Sequence, residues 1–137
     1  MSLLNSFNKV FIMGIGGSGM SSIAKYLKQK GYHVEGYDQR ISYITNILEN
    51  DGVRTYQNYE DFIYEKDVLY IISSAVNLNN TFLKNFKKNK NVISRPNFFR
   101  ELSNETDIIG ITGTHGKTST TALVSHIFQF NNKNVSF

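Results

Sequence analysis

Apolar residues in this chain come in short unbroken runs separated by amphipathic stretches. Val10, Phe11, Ile12 and Met13 form one such run, the pattern of a strand buried on both faces. After a glycine turn, Met20, Ile23, Ala24 and Leu27 recur at i, i+3, i+4 and i+7, while Lys25, Lys28 and Lys30 fall on the opposite side. This spacing predicts an amphipathic helix, and Gly31 supplies its stop. His33 to Tyr37 then reads as a second strand. Strand, glycine loop, helix and strand together occupy about 30 residues, the length a parallel crossover takes.

The alternation continues. Ile44, Ile47 and Leu48 mark a helix ending near Gly52, followed by a short strand from Val53 to Tyr56. Asp67 to Ser73 is the clearest strand of the chain. Thr81 to Lys88 is expected as a helix and Asn91 to Ser94 as a strand, and Pro96 starts a helix bearing Phe98, Phe99 and Leu102. Repeated strand and helix alternation predicts an α/β fold, a Rossmann-like parallel sheet with helices on both faces. Ser103-Asn104-Glu105-Thr106 has no apolar residue and reads as a boundary between a domain over 1–103 and a second segment over 107–137. In that segment Asp107 to Thr112 is expected as a new strand, and Ala122, Leu123, Ile127 and Phe130 as one side of a helix.

Composition changes this picture little. With 137 residues, of which 40% are hydrophobic, the chain has room for one full α/β domain but not two. No apolar run reaches the roughly 18 residues of a membrane span, no secretory signal order is present, and cysteine is absent, so a soluble cytoplasmic protein is expected. Met1-Ser2-Leu3 is given no structural role. The net charge is +4, with its densest basic patch at Lys84, Lys87, Lys88 and Lys90. Phe82, Leu83 and Phe86 recur at helical spacing between these lysines, so the patch reads as the solvated face of a surface helix, not a nucleic-acid site. No cluster of His, Cys or carboxylates has metal-site spacing, and His33 and His126 are expected at the surface or a strand edge.

Two glycine-rich loops carry the chemistry. Gly14-Ile15-Gly16-Gly17-Ser18-Gly19 places Gly14, Gly16 and Gly19 in the pattern G-x-G-x-x-G between a strand and a helix. The first glycine permits a tight turn, the second lets backbone N–H groups approach a diphosphate, and the third lets the helix pack close to the strand. The phosphate would sit at the positive end of the helix, with Met20 in its first turn. Asp38, at the end of the second strand, stands where a carboxylate accepts hydrogen bonds from a ribose. Nicotinamide dinucleotides and UDP-sugars share those parts, and the pattern does not choose between them.

The second loop, Gly113-Thr114-His115-Gly116-Lys117-Thr118, follows an apolar segment and opens a helix. It departs from the strict Walker spacing, because Ile111 stands five residues before Gly116. The chemistry is retained: amides between the glycines can cradle phosphate, Lys117 supplies a charge for the β and γ groups, and Thr118 can place its hydroxyl on Mg²⁺. Ser119 adds a hydroxyl at the helix start. His115 is expected to serve through its backbone.

Taken together, Phe11 to Ser21, Gly36-Tyr37-Asp38, Ser73-Ser74-Ala75-Val76, Arg95 and Ile111 to Thr118 resemble the N-terminal part of the Mur ligases, over about Val10 to Phe128. Within that family, His115 in place of asparagine is shared by the alanine-adding and the murein-peptide recycling branches, and the Gly16-Gly17 pair favours the former. The resemblance implies a three-domain enzyme using ATP and Mg²⁺ to convert the carboxylate of UDP-N-acetylmuramate to an acyl phosphate, which L-alanine attacks. It implies that Gly14 to Met20 and Ser73, Ser74 and Ala75 hold the UDP part, with Asp38 and Arg95 as further contacts. Gly113 to Ser119 would hold ATP, with Lys117 neutralising charge on the transferred phosphoryl group.

The chain departs from the family pattern at Gln57-Asn58, where Gly-His is usual, and at Asn80-Thr81, where Asn-Pro is usual. The central-domain Glu and His and the C-terminal domain of the family would lie past Phe137, so the 137-residue chain is expected to lack ligase activity alone. Two other classes fit parts of the sequence. A nicotinamide-dependent oxidoreductase accounts for the first loop and Asp38 but not the second loop, and a non-catalytic sensor of UDP-sugars accounts for the first loop alone.

Overall fold

Five strands pair in the order β3-β2-β1-β4-β5, and every neighbouring pair is parallel, in a computed structural model that describes residues 3–76, 89–133 and 135. They are β1 (Lys9–Met13), β2 (His33–Tyr37), β3 (Arg54–Tyr56), β4 (Val68–Ile72) and β5 (Val92–Ser94). The helices are α1 (Ser18–Gln29), α2 (Tyr43–Asn50), α3 (Arg95–Leu102) and α4 (Lys117–Phe130). The helix expected at Thr81 to Lys88, its lysines up to Lys88, and Asn80-Thr81 lie outside the described residues.

Strand β1 is central because both its faces are apolar. Val10 and Ile12 point into a core with Met20, Ile23, Ala24 and Leu27 of α1, Leu48 of α2 and Phe98 and Leu102 of α3. Phe11 and Met13 point the other way, as the period of two requires. Burying each such aliphatic side chain stabilises the fold by ~1.5–3 kcal/mol. Among the described residues, helices α1 to α3 all cover the first face.

The second face is aromatic. Phe11, Tyr37, Tyr56, Phe62 and Tyr70 meet there with Tyr59 and Tyr64 from the segment joining β3 to β4. Tyr37 stacks on Tyr59 with centroids 4.3 Å apart, and Phe11 lies 4.5 Å from Phe62. A chain leaving edge strand β3 to add β4 beyond β1 must cross the face opposite α1 and α2. Here that crossing is made by an irregular, ring-rich segment with one 3₁₀ turn at Tyr59–Asp61. Asn91 fastens it, with Nδ2 donating to the carbonyls of Val68 at 2.7 Å and Lys66 at 3.2 Å, while Oδ1 accepts the Tyr64 hydroxyl at 2.6 Å.

Leu3 and Leu4 also carry structure that their sequence did not announce. Leu4, in a 3₁₀ turn over Leu4–Ser6, is buried, and the Leu3 N–H donates to Glu101 Oε2 at 3.2 Å. The first turn of the chain is therefore held on the end of α3.

The chain divides into two compact units, Met1–Glu105 and Thr106–Phe137. In the second, Asp107 to Thr112 is not a strand, which corrects the expectation from its apolar run. A parallel strand exists only through its ladder, and among the described residues this unit has no other strand to pair with. Ile108 and Ile109 are accordingly exposed, as are Leu123, Ile127 and Phe130 of α4.

Candidate functional site

All the residues expected around the first loop emerge at the C-terminal edge of the sheet. Gly14 follows β1, Asp38 follows β2, Ser73 follows β4 and Arg95 opens α3 directly after β5. Strand β1 lies between β2 and β4, so the chain runs in opposite directions from it and a crevice opens at its end.

The loop is built from backbone bonds. The N–H groups of Gly14 and Ile15 both donate to the Tyr37 carbonyl, at 2.7 and 3.1 Å, and Gly17 N–H donates to Gly14 O at 3.1 Å. Gly14 has φ +81°, which favours glycine, and a Cβ there would stand 3.0 Å from Ser73 Cβ. Ser73 in turn donates its N–H to Met13 O at 3.1 Å, and its Oγ accepts from Ala75 N–H at 3.3 Å. Ser74 and Ala75 are exposed at the rim. Ile15 and Met20 are buried in the core, so they face the crevice through their backbone alone.

Gly16 and Gly19 are glycines for reasons that differ from those expected. A Cβ on Gly16 would lie 2.8 Å from Asp38 Oδ2, which already accepts the Gly16 N–H at 2.8 Å. Its amide thus serves a carboxylate within the protein. A Cβ on Gly19 would lie 2.5 Å from an Arg95 guanidinium nitrogen and meets no strand atom among its nearest neighbours. The third glycine makes room for an arginine, not for closer packing of helix on sheet. Ser18 and Gly19, the first residues of α1, have no acceptor for their N–H groups among the described residues. These two amides, the helix's positive end and the exposed Arg95 form the anion-attracting part of the crevice.

Sequence reasoning missed Thr45. It is buried, its methyl stands 3.3 Å from the Gly16 Cβ position, and it forms a capping box with Ser42 at the start of α2. The signal was there as Ser42-x-x-Thr45 just after Asp38. At Gln57-Asn58, Asn58 Nδ2 donates to Asp61 Oδ2 at 3.0 Å and stabilises the 3₁₀ turn.

In the second unit, Gly113 has φ +149° and Gly116, the N-cap of α4, has φ +77°. These left-handed positions turn the chain into a 14-residue helix whose opening N–H groups, Lys117 to Ser119, have no acceptor among the described residues. The Lys117 ammonium folds back on the loop, donating to Gly113 O at 2.7 Å and Thr114 O at 3.3 Å. His115 and Thr118 are exposed. The donor set, amides, an ammonium and the exposed Thr118 hydroxyl, is chemically of the kind that fits a phosphate group and a hard cation.

At the opposite, N-terminal edge of the sheet a second polar group is present. Glu35 of β2 is buried, with His33 Nε2 at 3.0 Å, the Tyr56 hydroxyl donating at 3.2 Å and Lys9 Nζ at 3.5 Å. Burial pushes its carboxyl up, but the His33 hydrogen bond, the Lys9 charge and the Tyr56 hydroxyl outweigh burial and hold it below its ordinary value. His33 itself is exposed, as expected.

The pattern of the Mur ligase family, catalytic domain, matches residues 9–106. A UDP-N-acetylmuramate–L-alanine ligase of Christiangramia forsetii is 33% identical over 94% of this chain and 30% of its own length. That of Hydrogenobaculum sp. is 38% identical over 88% of this chain and 27% of its own length. Among solved structures, the UDP-N-acetylmuramate-alanine ligase of Thermotoga maritima superposes with a TM-score of 0.76 at 28% identity, over 88% of this chain and 29% of that one. A UDP-N-acetylmuramate:L-alanyl-gamma-D-glutamyl-meso-diaminopimelate ligase of Neisseria meningitides gives 0.75 at 25% identity, over 91% of this chain and 40% of that one. The chain thus spans about three-tenths of the length of the curated relatives it matches. An alignment that leaves out only 6% of the chain includes both glycine loops. By its family pattern, its parallel sheet and its relatives, this chain belongs to the Mur ligase family.

Proposed function

We propose that this chain supplies the UDP-binding part and the phosphate loop of an ATP-dependent ligase that joins L-alanine to UDP-N-acetylmuramate in peptidoglycan precursor synthesis. The observation that carries this reading is the crevice at the end of β1, where the amides of Ser18 and Gly19 have no acceptor among the described residues and Arg95 lies against Gly19. A diphosphate is the group that such a pairing of helix terminus and guanidinium attracts. Gly14 to Met20, Ser73, Ser74, Ala75 and Arg95 receive the UDP portion. Gly113 to Ser119 receive ATP, Lys117 meets its terminal phosphates, and Thr118 contributes a hydroxyl to Mg²⁺.

In the whole enzyme ATP activates the muramate carboxylate as an acyl phosphate, and the amine of L-alanine displaces phosphate. Lys117 contributes charge stabilisation without moving a proton. The reaction belongs to the cytoplasm, where ATP and UDP-sugars are made.

Amide mapping by nuclear magnetic resonance tests the assignment. Titrating the labelled 137-residue chain with UDP-N-acetylmuramate should shift Ser18, Gly19 and Ser73 to Ala75, and magnesium ATP should shift Gly113 to Ser119. Shifts confined to other residues would contradict it. In the whole enzyme, product formed with L-alanine supports the alanine-adding reading. Product formed only with a peptide would assign the murein-peptide recycling branch.

A further inference from the structure

We infer that Asp38 is a positioning residue for the first glycine loop and acts through Gly16, not through a ribose. The inference rests on the reading that this loop receives a nucleotide diphosphate. By sequence, a carboxylate after the second strand is placed to accept ribose hydroxyls. In the structure both of its oxygens hold backbone: Oδ2 accepts Gly16 N–H at 2.8 Å and Oδ1 accepts Arg40 N–H at 3.1 Å. The carboxylate thereby ties the loop after β1 to the turn after β2.

Gly16 has the shape this contact needs. A Cβ there would lie 2.8 Å from Oδ2 and 3.0 Å from Cγ of Asp38, and 3.3 Å from the methyl of Thr45. No side chain fits between the loop and these two groups without moving one of them. Thr45 is itself held, its N–H donating to Ser42 Oγ at 3.2 Å and its Oγ1 accepting from Ser42 N–H at 2.8 Å. The start of α2 therefore backs the carboxylate, and the carboxylate backs the loop.

The consequence is a division of labour among the loop amides. Those of Gly14, Ile15, Gly16 and Gly17 are used within the protein, on Tyr37 O, Tyr37 O, Asp38 Oδ2 and Gly14 O. Those of Ser18 and Gly19 stay open among the described residues. Asp38 fixes the direction in which the open pair is aimed. A misaimed amide loses much of its hydrogen-bond strength, because the bond weakens steeply with angle.

Two measurements on the 137-residue chain test this. The first needs no ligand: a scalar coupling across the hydrogen bond between the Gly16 amide nitrogen and Asp38 Cγ, with the Gly16 amide slow to exchange. Asp38→Asn, which keeps one acceptor oxygen, should retain part of the Gly16 protection, and Asp38→Ala should abolish it. Absence of the coupling, with a fast-exchanging Gly16 amide in the unsubstituted protein, overturns the inference. The second compares UDP with 2′,3′-dideoxy-UDP. Asp38→Ala should weaken both about tenfold, and by the same factor within twofold, because the loss lies in the loop and not in a hydroxyl contact. A loss confined to UDP overturns the inference in favour of a direct ribose contact. If neither nucleotide binds the unsubstituted chain, the UDP reading fails, while the Gly16 coupling still decides the place of Asp38.

Discussion

Arg95 lies across Gly19 so closely that a single methyl on Gly19 would stand 2.5 Å from a guanidinium nitrogen and 2.9 Å from its Cζ. The two residues are far apart in sequence and meet because β5 delivers α3 to the same sheet edge from which α1 departs. Gly19 is the second residue of α1, where alanine is a better helix former than glycine. Gly19→Ala should therefore leave the melting temperature unchanged or slightly raised, since a flexible, exposed arginine can swing away. Affinity for UDP-N-acetylmuramate should nevertheless fall about tenfold. Thermal unfolding and calorimetry on the same sample check both halves.

Lys117 is bound to the carbonyls of its own loop and must leave them when a phosphate arrives. Lys117→Met should abolish magnesium ATP binding and leave UDP-N-acetylmuramate binding unchanged. In the whole enzyme the same substitution should lower turnover by about 10²-fold or more, the scale of losing a charge that acts on the transferred group. Paired titrations with the two nucleotides check the first statement and steady-state phosphate release the second.

Glu35 confers an acid-sensitive stability on the sheet. Its folded value lies below the ordinary 4.5, so its contribution is fully present above that value and is lost as pH falls through the lowered one. Urea unfolding from pH 7 downward should show stability dropping below about pH 4.5, and Glu35→Gln should flatten that slope. Glu35→Ala should cost about 1–3 kcal/mol at pH 7, because it strips the acceptor from the Tyr56 hydroxyl and removes one of the two carboxylates, Glu35 and Glu65, that hold Lys9.

Asn91 ranks its own substitutions. Its Nδ2 donates to carbonyls of Val68, Lys66 and Glu65. Asn91→Asp turns that donor into a buried acceptor facing those oxygens. It should destabilise the first unit by more than about 2 kcal/mol at pH 7, and by more than Asn91→Ala. Denaturant midpoints of the two variants check the order.

Much of the fold was legible because α1 and β1 obey simple periods. Met20, Ile23, Ala24 and Leu27 face one core, and Val10 and Ile12 meet them from the sheet. The aromatic face was not legible, since Tyr37, Tyr56, Tyr59, Phe62, Tyr64 and Tyr70 follow no period and come together only when the crossing segment folds over β1 and β4. Asp107 to Thr112 misled for the converse reason: an apolar run reports strand propensity, while a strand also requires a partner. At the candidate site the glycine pattern located the loop, but the reasons for two of its glycines lay in Asp38 and Arg95, long-range neighbours that local spacing does not encode. Glu35 was hidden in part for the same reason: Lys9 of β1 and Tyr56 of β3 reach it from the neighbouring strands, and only His33, two residues before it on β2, is a local partner.

The chain spans about three-tenths of its curated relatives, so binding rather than turnover is the property to measure on it. The most direct measurement is calorimetry of the 137-residue protein with UDP-N-acetylmuramate and, in parallel, NADH. UDP-N-acetylmuramate should bind saturably and one-to-one, at least tenfold tighter than NADH, and Gly19→Ala should weaken that binding. Tighter binding of NADH, or UDP-N-acetylmuramate affinity indifferent to Gly19→Ala, would rule out the crevice at Gly19 and Arg95 as a UDP-sugar site.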